Sequence, residues 1–373
     1  MIAHADAVVT SRYAANPPGG SPMLALWLVL TAPVSANTLH LTLDHATDPP
    51  AVRHATVSAQ ATPARSGLRT RPDGLTVHRQ DGTLLAARAV PRPMPRTVMT
   101  PEGGEASDRV DRFTRVSVPW PAEARSVRLD GRPLTLPSLR AAEPDGEVVT
   151  LHGSDDPAIT LDLLLLSEGY VSGEREAFLV DAQRVVDHLL EIEPWGDYPR
   201  MVAVHAAFVP GADPGIDDAP GADAVDSPFQ CHYGCGGLDR LICCDEATVV
   251  DTVDRVAPWA DGVLMLVGDE PYGGSGGLAY STAYTGPFLP DVSAHELSHT
   301  LVTLWDEYDY GFEDDRNTPP GPNCAPPDED PLPWDRWVGD EGVEAYPVCS
   351  FTSWVRPTES ACMMHSLQDR YCA

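Results

Sequence analysis

The spacing of apolar residues divides the chain into two kinds of sequence that meet near residue 150. Beyond it, continuous apolar stretches are typical of strands buried on both faces of a sheet: 158–170, 201–210 and 261–270. Apolar residues recur at helical spacing in the segments that alternate with them: 172–195, 246–259 and 293–305. This alternation predicts a layered α/β domain over residues 151–373.

Residues 37–150 contain short stretches in which apolar and polar residues alternate, which predicts a small all-β, sandwich-like domain. Asp130-Gly131 lies between two such stretches and predicts a type I′ hairpin turn. The proline-rich stretch 89–108 is predicted to be a loop within this domain.

Residues 1–36 are predicted to be a signal peptide, because the apolar run 24–36 ends in small residues that suit a signal peptidase. Translation could instead begin at Met23, and a buried apolar strand is the alternative interpretation. The run is shorter than the ~20 residues that a membrane-spanning helix needs. We therefore expect a secreted, periplasmic or cell-surface protein with no membrane segment in its mature form.

Charge is distributed unevenly around a formal total of −30. Residues 37–150 have 15 arginines against 13 acidic residues, whereas residues 151–373 have 9 against 41. The acidic second part would be repelled by phosphate backbones, so we expect no nucleic-acid partner. It suits divalent cations, basic substrates or solubility alone.

All eight cysteines lie in the second part, and an even number in a secreted chain predicts disulfide bonds. We expect the pairs Cys324–Cys349 and Cys362–Cys372. The cluster 231–244 resembles a zinc ribbon, but adjacent cysteines rarely surround one tetrahedral ion, which disfavours that interpretation.

The stretch "AHELSHTLVTLWDEYDY", residues 294–310, contains the zinc-binding pattern H-E-x-x-H. On a helix, His295 and His299 project from one face and can reach one ion. Glu296 lies about 100° further round, where it could accept a proton from an attacking water. A solvated helix with incidental histidines is the alternative, but the apolar neighbours indicate a buried helix, in which unpaired polar groups are costly.

A third protein ligand is required, and Asp306 or Glu307 could supply it. On a continuous helix Asp306 would lie about 16 Å from His295 along the axis, at ~1.5 Å per residue. It can bind only if the helix ends soon after His299 and the chain turns back. The residue where glycine usually permits such a turn is Val302.

The segment "AHELSHTLVTLWDEYDYG" resembles the active-site segment of the IgA-peptidase family of bacterial zinc metallopeptidases. Further stretches agree in order and character: "LDLLLLSEGY", "EPWGDYPRMVAVHAAFVPGADPGIDD" and "PYGGSGGLAYSTAY". The resemblance covers about 160–373. It implies a metzincin-like catalytic domain with one zinc and a Met-turn, and Met364 in "ACMMHSL" fits the turn methionine.

Two glycine-containing segments are candidates for other binding roles. Gly273, Gly274, Gly276 and Gly277 precede a strand-like stretch, and we expect them to line a cleft in which an extended peptide adds to an exposed strand. They lack the Lys-Ser/Thr ending of a phosphate loop. An acidic loop could hold calcium or could simply be solvated, its candidate ligands being Asp213, Asp217 and Asp218.

The sequence thus predicts a secreted zinc endopeptidase in which His295, His299 and Asp306 hold the metal and Glu296 is the general base. A zinc amidase or esterase acting on a non-protein substrate is the nearest alternative. A catalytically inert, calcium-stabilised surface binding module is the alternative outside enzymes.

Overall fold

The computed structural model describes residues 37–58, 74–90, 95–100, 103–141, 146–153, 160–222, 224–311, 318, 320–340, 342–359, 362–367 and 370–371. The predicted signal peptide, 1–36, lies outside the described residues. The strands before residue 150 are β1 (Thr38–Asp44), β2 (Ala51–Ser58), β3 (Leu75–His78), β4 (Leu84–Arg88), β5 (Pro95–Thr100), β6 (Gly103–Val110), β7 (Phe113–Pro119), β8 (Ser126–Leu129), β9 (Arg132–Pro133) and β10 (Arg140–Ala141).

The later strands are β11 (Val148–His152), β12 (Leu161–Glu168), β13 (Val202–Ala207), β14 (Gly262–Val267), β15 (Gly274–Ser275), β16 (Ser281–Tyr284), β17 (Tyr346–Cys349) and β18 (Phe351–Arg356). The α-helices are α1 (Arg175–Glu191), α2 (Glu246–Val256) and α3 (Leu289–Val302). Short 3-10 turns occur at Ser172–Glu174, Pro199–Met201, Cys235–Gly237 and Asp335–Trp337.

Two four-stranded sheets, in the orders β10-β2-β1-β7 and β4-β3-β8-β9, share one apolar core. The alternation seen in the sequence supplies that core, because every second side chain of a strand faces the same side. Asp130 and Gly131 both have positive φ, at 49° and 76°, and join β8 to β9, as the type I′ turn requires.

The expectation that 89–108 is a loop is wrong, because β5 and β6 form an antiparallel hairpin there. Proline is tolerated in this pair because Pro95 is the first residue of its strand, where the missing N–H interrupts little of the ladder. The backbone of β5 lies against β15, and that of β6 lies against Cys235–Gly237.

His40 on β1 is buried between two serine hydroxyls, with Nδ1 2.8 Å from Ser117 Oγ and Nε2 2.8 Å from Ser58 Oγ. Burial, followed by the charge of Arg115, lowers the pKa of His40 to about 3. The folded protein therefore holds this imidazole in its neutral form.

The larger sheet has the order β11-β13-β12-β14-β16-β15, in which β13, β12, β14 and β16 are parallel to one another and the edge strands are antiparallel. Alternate residues of β12 and β14 enter separate cores on the two faces, one with α1 and α3 and the other with α2. Burial on both faces explains the continuous apolar stretches in the sequence. The architecture is mixed α/β.

The arginine-rich first part packs against acidic residues of α2. Arg53 forms two 2.8 Å hydrogen bonds with the Asp251 carboxylate, and the Thr42 hydroxyl donates to Asp254 at 3.0 Å. Residues 34–373 form one compact unit, and the predicted domain boundary near residue 150 stays a prediction. No helix in the described part of the chain is both long and apolar enough to cross a membrane.

Disulfide bonds join Cys231 to Cys244, Cys235 to Cys243 and Cys324 to Cys349. The first two consume the four cysteines of the zinc-ribbon-like cluster, and the third confirms a predicted pair. Cys362 is also disulfide-bonded, while its predicted partner, Cys372, lies outside the described residues.

Candidate metal centre

Helix α3 brings His295 and His299 together inside the protein, where they are 0% and 4% exposed. Their Nδ1 atoms contact backbone carbonyls, His295 that of Met363 at 2.9 Å and His299 that of Leu304 at 2.6 Å. A carbonyl can only accept, so each Nδ1 carries a proton and Nε2 is the nitrogen left to face a metal. This is the tautomer that a metal-binding imidazole requires.

The chain turns back immediately after α3, as a third ligand from the following segment demands. The helix ends at Val302, and Thr303 adopts the left-handed conformation with φ 54° and ψ 36°. Threonine at Thr303 thus makes the turn for which the sequence offers no glycine, and Val302 itself stays helical. The turn carries Asp306 to the two histidines.

Asp306 Oδ1 lies 3.1 Å from His295 Nε2 and 3.4 Å from His299 Nε2. Atoms bound at 2.0–2.2 Å to one tetrahedral ion lie roughly 3.4 Å apart, so these spacings fit three ligands of a shared metal. All three atoms are buried and make no hydrogen bond of good geometry among the described residues. Buried polar atoms in that condition need a partner, and a divalent cation would supply it.

Electrostatics link Asp306 to the histidines even without a metal. Burial lowers the pKa of His299, but the charge of Asp306 outweighs burial and raises the pKa to about 9. Burial would also raise the pKa of Asp306, yet the two imidazoles hold that pKa well below its usual range. Without a metal, His299 is therefore a cation beside the negative Asp306 carboxylate at neutral pH, and a bound metal would take the place of its Nε2 proton.

The Asp306 segment is held by residues that come much later in the chain. Ser350 Oγ donates to the Asp306 carbonyl at 2.7 Å, and Tyr310 Oη donates to Asp306 Oδ2 at 3.0 Å. The Asn323 side chain accepts from the Trp305 N–H and donates to the Trp305 carbonyl, both at 2.8 Å. The disulfide that begins at the next residue, Cys324, anchors Asn323 beside the centre.

Glu307, the alternative third ligand, is held by Asn323 and by the turn at Met364. Its Oε1 accepts from Asn323 Nδ2 at 3.0 Å, and its backbone N–H donates to the Met364 carbonyl at 2.7 Å. Burial raises the pKa of Glu307 to about 7. Its contacts are those of a structural residue in the loop.

Glu296 is fully buried beside the histidines, and ligand atoms of His295, Glu296 and His299 lie within 4.8 Å of one another. The Ser281 hydroxyl donates to the Glu296 carbonyl at 2.7 Å, which ties this turn of α3 to β16. The carboxylate is therefore near the metal position without occupying the place of Asp306.

The glycine-rich segment packs tightly against α3. A Cβ on Gly276 would collide with the His299 ring, and one on Gly274 would lie 3.5 Å from Glu296 Oε1. The expected exposed strand is not found, because 273–277 are buried and the Gly274 backbone pairs with β16 on one side and with 240–242 on the other. Gly274 thus offers no free edge to a peptide, and a cleft at Gly273, Gly274, Gly276 and Gly277 stays a prediction.

Met364 is fully buried in the turn beneath the site. This turn contacts the centre through backbone, since the Met363 carbonyl accepts from His295 and the Met364 carbonyl from Glu307. A Met-turn role for the Met364 side chain stays a prediction.

The acidic loop shows no cation cluster among the described residues, where the single candidate group is that of α3. Asp217 Oδ1 accepts from the backbone of Ala224 and Val225, and Asp213 Oδ2 accepts from the Asp226 N–H. These carboxylates, with the neighbouring Asp218, belong to a loop that bonds to itself. Calcium at Asp213, Asp217 and Asp218 stays a prediction.

A buried helix with two metal-facing imidazoles and two adjacent carboxylates is the donor set of a hydrolytic metal centre. Residues 149–372 match the family model described as IgA Peptidase M64, and the chain belongs to that family. The resemblance predicted from the sequence is thereby confirmed, and the family supports a peptidase. No curated protein matches the chain.

Proposed function

We propose that the protein is a secreted, zinc-dependent endopeptidase. The observation that carries the proposal is that Asp306 Oδ1 lies 3.1 Å from His295 Nε2 and 3.4 Å from His299 Nε2, with the Glu296 carboxylate beside the histidines. Two imidazoles and one carboxylate leave a fourth position open around a tetrahedral zinc ion, which distinguishes catalytic from structural zinc sites.

Zinc held by these three residues would lower the pKa of water toward neutrality and polarise the scissile carbonyl. Glu296 accepts the proton of the attacking water and passes it to the leaving amine. The loop contacts of Asp306 fix the ligand, and the Nδ1 bonds of the two histidines fix their rings, so the groups need little rearrangement during reaction.

The substrate proposed is a protein or peptide bound in extended form. Family membership supports peptide-bond hydrolysis. Secretion is proposed from the apolar run at 24–36 and is supported by the disulfide bonds, which persist in oxidising compartments.

The test is digestion of unfolded casein by the zinc-loaded protein and by Glu296→Gln. We expect Glu296→Gln to retain zinc and lose activity by about 10²–10⁴-fold, the usual contribution of a general base. Zinc binding with no casein cleavage by the wild type would shift the function toward an amidase or esterase. Equal activity of wild type and variant would refute the role of Glu296.

A further inference from the structure

A cavity of about 460 Å³ lies between the β-rich first part of the chain and the C-terminal end of α3. Strands β1, β4 and β7 line one side of it, through His40, Arg88 and Arg115 among others, and residues 300–303 line another. Cavities of roughly 300–1,000 Å³ are typical of small-molecule sites. His295, Glu296, His299 and Asp306 are absent from the described lining, so this cavity is separate from the metal position.

Most of the cavity wall is apolar. Its larger aliphatic residues are Leu41, Val90, Val116, Leu161, Leu301 and Val302. Val302 is 50% exposed although α3 is otherwise a buried helix. Removing such aliphatic surface from water is favourable, so the cavity suits a ligand that carries aliphatic groups.

Arg115 on β7 adds a positive charge to this wall. Its guanidinium donates to the Ala260 carbonyl at 3.1 Å and to the Pro258 carbonyl at 3.2 Å, and it forms no ion pair with a carboxylate of the described residues. Burial lowers the pKa of Arg115 and outweighs the charges of Asp254 and Asp261, which raise it. A guanidinium has five N–H donors in a planar fork that matches a carboxylate, so a bound carboxylate would stabilise this cation.

Charges of both signs line the cavity. Arg88 is the second cation, Asp254 and Asp261 are the two acidic residues, and His40 is neutral when folded. A simple anion would be attracted by the arginines but repelled by the aspartates, and the reverse holds for a simple cation. A ligand with one charge of each sign and no net charge fits this lining best.

We propose that the cavity binds a short zwitterionic peptide with aliphatic side chains, its carboxylate at Arg115 and its ammonium group at Asp254 and Asp261. A dipeptide of leucine has this chemistry, since its α-carboxyl group is ionised and its α-amino group is largely protonated at neutral pH. Short peptides are also the class of product that a peptidase releases. The binding itself does not depend on the peptidase function proposed above.

The test is calorimetric titration of the wild type with three probes: Leu-Leu, Leu-Leu-amide, which lacks the carboxylate, and N-acetyl-Leu-Leu, which lacks the ammonium group. Each titration is made with zinc and again after zinc is removed by a chelator. The variants are Arg115→Gln, Asp261→Asn and Ala89→Trp, whose indole would fill the cavity from an exposed position of its lining. Ala87→Trp is the matched control, because Ala87 is exposed on β4 and does not line the cavity.

We expect one Leu-Leu molecule to bind per chain, and each analogue to bind at least about tenfold more weakly, as for loss of a hydrogen bond to a charged group. Arg115→Gln should weaken Leu-Leu by a similar factor but leave Leu-Leu-amide unchanged. Asp261→Asn should weaken Leu-Leu and leave N-acetyl-Leu-Leu unchanged. Ala89→Trp should abolish binding while Ala87→Trp retains it, which keeps the test valid if melting temperatures show that Arg115→Gln is unfolded.

Equal binding of Leu-Leu and both analogues would overturn the proposal, because the charged residues would then play no part. Unchanged binding in Ala89→Trp would place the peptide outside the cavity, and loss of binding on zinc removal would place it at the metal centre. No heat of binding at millimolar Leu-Leu would also overturn it. A wild type that cleaves no casein would defeat the proposed peptidase function and leave these titrations unaffected.

Discussion

The side chain of Asn323 should control zinc affinity although it does not contact the metal position. It makes three buried hydrogen bonds, two with the backbone of Trp305 and one with Glu307 Oε1, at 2.8, 2.8 and 3.0 Å. These residues flank Asp306 on both sides. Asn323→Ala leaves all three buried partner groups without their hydrogen bonds.

Each orphaned buried group costs about 1–3 kcal/mol, and partial rehydration should limit the total loss of unfolding free energy to about 3–5 kcal/mol. At 2–4 °C for each kcal/mol, the melting temperature should fall by roughly 6–20 °C. If Asp306 then reaches the histidines only 1–10% of the time, the apparent Kd for zinc rises about 10–100-fold.

The assay is zinc titration against a chromophoric chelator, together with thermal unfolding of the metal-free protein. Thr352→Ala is the matched control, because Thr352 is exposed on β18 and its hydroxyl contacts Asp309 instead of the Asp306 segment. Zinc affinity of Asn323→Ala within threefold of wild type would refute the positioning argument. A lower melting temperature alone would leave Asn323 with a packing role only.

Three further predictions concern packing, cross-linking and pH. Gly276→Ala should weaken zinc binding at least tenfold because its methyl group collides with the second ligand histidine, whereas Gly173→Ala, with open space around it, should not. Replacing Cys324 and Cys349 by serine should lower the free energy of unfolding, measured by denaturant titration, by about 2–4 kcal/mol. The same replacement should weaken zinc binding, and an unchanged zinc affinity would contradict the role of the disulfide in anchoring Asn323. Because His40 is neutral in the folded protein and takes up a proton on unfolding, the free energy of unfolding should fall as the pH drops below 6.5. The loss should reach about 2 kcal/mol at pH 5 and level off near pH 3. In His40→Gln this contribution to the pH dependence of stability should be absent.

The parts of the fold that the sequence predicted are those governed by local pattern. The parallel strands were readable because burial on both faces imposes continuous apolar runs, and α3 because His295 and His299 lie one turn apart among apolar residues. The hairpin of β5 and β6 is not predicted, because the prolines of 89–108 indicate a loop although the β-branched residues between them favour strands. Proline at a strand's first position does not prevent pairing.

The residues that hold the Asp306 segment in place could not be predicted from the sequence. Asn323 and Ser350 lie 18 and 44 residues from the positions they hold, and hydrogen bonds over such separations leave no periodic signal. Both tyrosines are visible in "DEYDY", yet only the folded arrangement shows that the Tyr310 hydroxyl donates to Asp306 Oδ2. The choice between Asp306 and Glu307 likewise depended on the turn at Thr303.

Zinc content of the purified wild type, Asp306→Asn and Glu307→Gln, measured by elemental analysis after dialysis against a weak chelator, tests the central claim most directly. The metal centre described above predicts one zinc per chain in the wild type and in Glu307→Gln, and a marked loss in Asp306→Asn. No zinc in the wild type, or a loss confined to Glu307→Gln, would contradict the ligand set and the proposed function built on it.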